Sequence, residues 1–330
     1  MENENVLGEN FDNNNVKPRR MLTRKTKRTI FYICTIAFFI FHTLLFYVYV
    51  NFSMFALAFE EYYVEGGQLL SKFTWFTNFK YAIDIFLSPE GLGMLKVSTF
   101  MFLFHMCVGT VLALILSYYI YKKVFMSEFF RVILFLPSII SAVVMVTLFR
   151  YMVDEMYMEI SKNWFNKEVL GLLHSGEDTK MFAIIIYNIW MGYGMDVLLY
   201  TGAMSGINES TVEASELDGC TTMQEFWYIT LPSIFPTLIT FIIGGFANFF
   251  TNQMHLFTFY DRESTVKSVG YYMYVKSLSI AGYVKPKQTT GALRLTYSEL
   301  SAMGLLITAV TLPIVLTIRF LLNKYGPSPD

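Results

Sequence analysis

The stretch "SGINESTVEASELDGCTTMQEFWYITLPSIFP", Ser205 to Pro236, separates two long apolar runs and contains no Lys or Arg. Ser210-Thr211-Val212-Glu213 fits a capping box, in which a hydroxyl caps a helix start and a Glu three residues on reaches back. Thr222-Met223-Gln224-Glu225 fits a second. Between them, Asp218-Gly219 reads as a helix stop, with a Gly suited to a left-handed turn. Leu231-Pro232 is the exit. The segment therefore reads as helix, tight turn, helix. Either something packs on these short helices, or they form an amphipathic surface loop.

The surroundings decide where this loop sits. Of 330 residues, 54% are apolar and 15% charged, with 32 Phe and 22 Tyr; the mean hydropathy is +0.44. Soluble domains carry about 25% charged residues, so this chain has too little polar surface to cover itself in water. A net charge of −1 leaves no nucleic-acid footprint. Cys34, Cys107 and Cys220 are few, odd in number and far apart, which argues against a disulfide framework. No zinc-type Cys/His spacing points to a metal. Six apolar runs reach the length of roughly 20 residues that a helix needs to cross a bilayer: Ile30–Val50, Leu95–Tyr121, Val132–Met152, Met181–Ala203, Ser233–Gln253 and Leu300–Leu322. Pro236 falls in the first turn of the fifth, where it is tolerated. Pro313 falls inside the sixth and predicts a kink.

The first run is too long for a signal-peptide core and lacks a small-residue cleavage site. Seven basic residues precede it between Lys17 and Arg28. The positive-inside rule then puts the N-terminus in the cytoplasm, and six spans return the C-terminus, with Arg319 and Lys324, to the same side. The loop "YKKVFMSEFFR" is also basic and falls inside. The loop after the fifth span, with Arg262, Lys267, Lys276, Lys285, Lys287 and Arg294, falls outside; long loops translocate largely regardless of charge. The expected organisation is a basic, Asn-rich, disordered tail over 1–29, a first span over 30–50 and an extracytoplasmic segment over 51–94 forming a small cap of short helices. A five-helix core over 95–323 follows, carrying the cytoplasmic loop at 205–232, then a cytoplasmic tail over 324–330.

"EASELDGCTTMQEFWYITLP", Glu213 to Pro232, resembles the cytoplasmic EAA loop of permease subunits of binding-protein-dependent ABC importers. That pattern runs Glu-Ala-Ala, Asp-Gly-Ala after a short gap, then an aromatic-rich stretch ending Ile-x-Leu-Pro. Ser215 and Cys220 replace small Ala residues. "FFRVILFLPSIISAVV" (129–144), "NIWMGYGMDVLLYTGAMSGI" (188–207) and "YSELSAMGLLI" (297–307) are similar to the maltose-type, carbohydrate branch. The resemblance covers about Phe73 to the C-terminus, with Lys285–Leu295 as an insertion. It implies an all-α, multi-pass protein of the cytoplasmic membrane with six transmembrane helices and the type I ABC importer permease fold. Its implied partners are a second homologous permease subunit in a heterodimer, two ATP-binding cassette subunits and an extracytoplasmic solute-binding protein. ATP and Mg belong to the partner ATPase. This chain has no G-x-x-x-x-G-K-[ST] phosphate loop, and it is expected to bind no cofactor and to be no enzyme.

The implied coupling residues are Glu213, Ala214, Ser215, Leu217, Asp218, Gly219 and Phe226. Glu213 and Asp218 suit either ion pairs with a partner or favourable ends of a helix dipole. Leu217, Phe226 and Trp227 either touch the partner or pack the loop on its own helices. Polar residues inside spans mark a substrate path: Asn188 and Asp196 in the fourth, Asn248 and Asn252 in the fifth. The resemblance adds Gly192 as a solute-binding position, and Trp190 and Tyr193 suit stacking on a sugar ring. Amides suit sugar hydroxyls because they donate and accept; they equally hold helices together. Asp196 fits either a ligand to a polar solute or a paired group near water. His42 and His105, isolated in apolar spans, fit packed, hydrogen-bonded histidines better than a proton relay. The expected function is carbohydrate import, of an oligosaccharide or glycoside. The alternatives are an ABC permease for a peptide, amino acid or other polar solute, and a secondary transporter or channel without the coupling loop.

Overall fold

The computed structural model describes residues 23–65, 68–282 and 297–327. The disordered-tail expectation for residues before 23 and the insertion at 285–295 lie outside the described residues. Two compact units divide at Met54 and Phe55.

The first unit is helical from Arg24, where the Thr23 hydroxyl accepts a hydrogen bond from the Thr26 amide. This helix, α1 (Arg24–Ala58), runs on into the second unit and is long and apolar enough to cross a membrane. Its side chains from Ile30 to Val50 are exposed, a surface water does not tolerate and lipid does.

In the second unit come β1 (Glu60–Glu65), β2 (Gln68–Phe73) and α2 (Thr77–Leu87). Then follow α3 (Pro89–Tyr121), the pair α4 (Ser127–Ile139) and α5 (Ala142–Phe165), and α6 (Glu177–Met204). The loop helices are α7 (Glu209–Leu217) and α8 (Thr222–Ser233); α9 (Phe235–Asn248), α10 (Leu256–Tyr260), α11 (Val269–Gly282) and α12 (Tyr297–Tyr325) complete the chain. Four helices, α1, α3, α6 and α12, each suffice for a span; counting the bent pairs α4/α5 and α8/α9 as one span each gives six.

Four expectations change. The tail expected to be disordered over 1–29 is helical from Arg24 on. The third run is not straight: α4 and α5 meet at 106°. Pro137 removes a donor inside α4, and Ile140 takes extended backbone at φ −80°, ψ 146°. The fifth run is helical from Phe235 to Asn248, and α8, which leads into it, meets α9 at 68°. Helix α9 has 14 residues, or roughly 21 Å, short of the ~30 Å hydrocarbon core; it ends at Asn248, before the expected Gln253. The 51–94 segment is not wholly helical, because β1 and β2 pair antiparallel from Glu60↔Phe73 to Glu65↔Gln68. Buried Asn78 ties the hairpin to the end of α1, donating to the carbonyls of Ala58 and Glu60, both at 2.9 Å. Pro236 does sit in the first turn of α9. Helix α12 runs unbroken through Pro313.

The core of the second unit forms where α6 packs along α3 and α4. A Cβ at Gly194 would lie 2.5 Å from the Leu134 carbonyl oxygen, so only Gly permits this approach of α6 to α4. Toward the loop end, the Ser117 hydroxyl donates to the Val197 carbonyl at 3.2 Å, and the Thr201 hydroxyl donates to the Ser117 carbonyl at 3.4 Å. Beside them Ala113, Leu114, Ile120, Tyr200, Met204, Phe226, Ile234 and Leu238 form one buried cluster. The loop helices are therefore built into the core and do not hang from it.

Candidate functional site: the loop between α6 and α9 and the polar face of α6

Helix, turn and helix stand where the sequence puts them, with shifted caps. The cap of α7 is Asn208, not Ser210: its backbone is extended and its side chain accepts from the Ser210 amide at 3.1 Å. The second capping box also begins earlier. The Thr221 hydroxyl accepts from the Gln224 amide, and Gln224 Oε1 accepts from the Thr221 amide at 2.8 Å. Between them the Cys220 amide donates to the Ser215 carbonyl at 3.0 Å and the Gly219 amide to the Glu216 carbonyl at 3.1 Å. This is a Schellman turn, and Gly219 takes its left-handed position at φ +81°.

The loop has two faces. Val212, Ser215, Glu225 and Phe226 are buried inward, while Glu213, Ala214, Leu217, Asp218 and Gly219 are exposed. Leu217 is 89% exposed, unusual for a Leu in a capped, ordered helix. The Ser215 hydroxyl donates to the Val212 carbonyl at 2.7 Å. Phe226 packs edge-on against Tyr118 of α3, with ring centroids 5.0 Å apart. Phe226 thus holds the loop to α3, Ser215 is buried within α7, and the other five expected coupling residues form the exposed surface.

Sequence reasoning missed what fastens this inner face. Lys122, the residue that ends α3, reaches Glu225 Oε2 at 2.8 Å and Glu216 Oε1 at 3.2 Å. The Tyr118 hydroxyl donates to the Thr222 carbonyl at 3.0 Å. Burial works to lower the Lys122 ammonium, but the hydrogen bonds to Glu225 and Glu216 outweigh it and hold its pKa above the ordinary lysine value. The Glu225 side chain is 4% exposed, and a buried charge stripped of its partner costs about 3–5 kcal/mol. The pairing spans about a hundred residues, and only the basic loop "YKKVFMSEFFR" hinted at it.

The polar face of α6 is arranged differently. Asn188 Nδ2 donates to the carbonyls of Met254, at 3.0 Å, and Ile184, at 2.8 Å. Its Oδ1 can only accept, so His255 Nδ1 carries the proton in their 2.9 Å hydrogen bond. Met254 and His255 are both left-handed, at φ 52° and 56°, a strained pair that persists only where its surroundings hold it. Asn248 donates to the Gly244 carbonyl of its own helix at 3.0 Å. Asn252 Oδ1 accepts from the Met254 amide at 2.8 Å. Gly192 leaves room for His105, whose Cε1 would lie 3.6 Å from a Cβ placed there. His105 also lies within electrostatic reach of half-buried Asp196, and Tyr193 is half-buried beside it. The structure brings Asn188 to the 252–255 turn and gathers Gly192 and Asp196 around His105; Asn248 stays on its own helix. Trp190 packs into a core cluster with Phe149 and Tyr187. A cavity of about 20 Å³ lined by Met101, His105, Ile185, Asn188, Ile189 and Met254 has room for one water.

Residues 105–327 match the family described as "Binding-protein-dependent transport system inner membrane component". The chain is 23% identical over 284 residues to protein LplB of Bacillus subtilis, covering 82% of this chain and 81% of that protein. It is 31% identical over 128 residues to the arabinooligosaccharides transport system permease protein AraP of Halalkalibacterium halodurans, covering 36% and 40%. It is 29% identical over 171 residues to the maltose/maltodextrin permease MalF of Salmonella typhimurium, covering 50% and 32%; AraP and MalF are thus matched over less than half their length. Among solved structures, a bacterial ABC transporter that imports the acidic polysaccharide alginate superposes with TM-score 0.71 and 19% identity, over 92% of this chain and 98% of that one. With the family matched across its core and the fold shared, this chain belongs to the binding-protein-dependent ABC importer permeases, membrane subunits whose ATPase is a separate chain.

Proposed function

We propose that this permease moves a carbohydrate, an oligosaccharide or glycoside, inward across the cytoplasmic membrane. It does so as one of two permease subunits, with both termini cytoplasmic. An extracytoplasmic binding protein delivers the solute, and two ATP-binding cassette subunits dock on the loop at 205–232. One observation carries the coupling part: a turn built into the core on one side presents Glu213, Leu217, Asp218 and Gly219 bare on the other. An ordered, exposed apolar tip suits a cleft on another subunit. The loop, the end of α3 and the end of α12 share one side, since a Cβ at Gly326 would overlap Phe235 of α9; this agrees with a cytoplasmic C-terminus. AraP and MalF, permeases for arabinooligosaccharides and for maltose and maltodextrin, support the solute class.

Gly192, Tyr193 and Asp196 are proposed to face the solute, with Asn248 and Asn252 nearer its outer entrance. Asn188 contributes by holding the 252–255 turn and can meet solute only if that turn opens. The test is uptake in proteoliposomes holding the whole importer, with a panel of labelled oligosaccharides, amino acids and peptides. ATP-dependent uptake of an oligosaccharide is expected; uptake of peptides or amino acids alone contradicts the solute class. That second reading is favoured by Asp196, whose carboxylate makes no hydrogen bond among the described residues and could hold a cationic group.

A further inference from the structure

We infer that Lys122 is a positioning residue that locks both arms of the coupling loop to the inner end of α3, so that loop and helix move as one body. The inference rests on the coupling role proposed above. It lies outside the loop's own signature, since Lys122 stands 83 or more residues before any residue of the Ser205–Pro236 stretch.

The geometry is that of a clamp across a hinge. Glu216 belongs to α7 and Glu225 to α8, with the Gly219 turn between them. Burial of Val212 and Phe226 seats the two arms, and directed bonds fix the angle between them further. One ammonium bonded to both arms, at 3.2 and 2.8 Å, closes that angle from the inside. Lys122 is held in turn: it ends α3, where a cation suits the helix dipole. One turn earlier on the same face, Tyr118 touches α8 through Thr222 and Phe226. The adjacent Lys123 is turned aside by a left-handed backbone, at φ 50°, and makes no ion pair among the described residues.

The burial of Glu225 supports the clamp. It is 3% exposed, and its second oxygen, Oε1, is buried without a hydrogen-bond partner. Lys122 is its one ion-pair partner among the described residues. A carboxylate is kept in such a place only while its counter-charge is present. A push on the exposed tip at Leu217 and Asp218 then reaches α3 through Lys122 and is not absorbed by bending at Gly219.

The test uses the full importer in proteoliposomes with Lys122→Met, Lys122→Arg and the exchange Lys122→Glu with Glu225→Lys. In the exchange, the new lysine faces both the new glutamate and Glu216. Lys122→Met should assemble and keep basal ATP hydrolysis, while stimulation by solute-loaded binding protein falls about fivefold or more. Lys122→Arg should keep most of the stimulation, and the exchange should restore it, which a merely volume-filling role would not allow. Wild-type stimulation in Lys122→Met overturns the inference. If Lys122→Met does not assemble, an assembled exchange variant without stimulation overturns it, and one with stimulation supports it. Hydrogen exchange over 209–233 in the purified chain reads the clamp without any ATPase. Faster exchange in both arms of Lys122→Met is expected, and unchanged exchange overturns the clamp whether or not the coupling role stands.

Discussion

The loop between α6 and α9 and the polar face of α6 are made of similar residues put to opposite use. In the loop, inward groups are bonded and outward ones are exposed: Glu225 and Phe226 are buried against Lys122 and Tyr118, while the side chains of Glu213, Leu217 and Asp218 face outward. On α6, the polar side chain is already engaged. Asn188 has both ends of its amide committed to the Met254–His255 turn. The loop thus keeps an ordered outer face available, whereas the Asn188 amide of α6 is bonded to a neighbouring turn, beside a cavity of about 20 Å³.

Breaking the inner face should have the largest effect on stability. Phe226→Ala empties a core position shared by α3, α6 and α8 and should cost about 3–5 kcal/mol. Loss of the folded subunit, or a lowered melting temperature in detergent, is the readout; an unchanged melting curve would mean that the loop is not seated in the core. Next comes Asn188→Ala. It strands the Met254 carbonyl and the His255 N–H, a cost of about 1–3 kcal/mol, and it frees a strained turn. Both stability and uptake should fall. Reduced uptake with unchanged stability would instead make Asn188 a direct solute ligand and erase the contrast drawn here.

The caps give a smaller effect. Asn208→Ala should destabilise the start of α7 by about 1 kcal/mol, with faster hydrogen exchange there, whereas Ser210→Ala should change little. The reverse ranking would restore the cap that the sequence suggested. Smallest of all is pH. The Lys122 pKa is raised in the folded state, so its stabilisation is complete below the unfolded value near 10.4 and is lost only as pH rises through the higher folded value. Coupling should therefore lose nothing at Lys122 between about pH 6 and 9; a drop in that window abolished by Lys122→Arg would contradict the assignment.

Much of this was legible in the sequence because it is local. Apolar run length marked the four unbroken helices, and Asp218-Gly219 marked the turn that Gly219 makes at φ +81°. The hairpin was also legible and was passed over: "EEYYVE" and "QLLSKF" flank Gly66-Gly67, a two-residue hairpin signal. Pro137 stands within the 129–144 stretch, but one proline does not say whether a span bends or breaks; here the break falls at Ile140. Other features were not legible in principle. The bonds from Lys122 to Glu225, Asn188 to His255 and Asn78 to Ala58 join distant stretches, and no spacing rule reaches that far. The same limit hid the difference between the two regions, since an Asn in a span reads alike whether its amide is free or bonded to a neighbouring turn.

In the proposed coupling, the turn at Gly219 delivers the partner's motion to the membrane helices. Space is not what Gly219 provides, because a Cβ there would meet nothing within 4 Å; the left-handed backbone is. Gly219→Val should strain the turn by about 1–3 kcal/mol and place a branched side chain in the contact. The direct measurement is solute uptake and ATP hydrolysis by the reconstituted importer carrying Gly219→Val, with assembly checked by co-purification of all subunits. The expected result is an assembled complex in which transport is lost and hydrolysis no longer responds to solute-loaded binding protein, with Glu213→Ala showing a weaker form of the same defect. Wild-type transport by an assembled Gly219→Val complex would contradict it, and the loop would not be the coupling element.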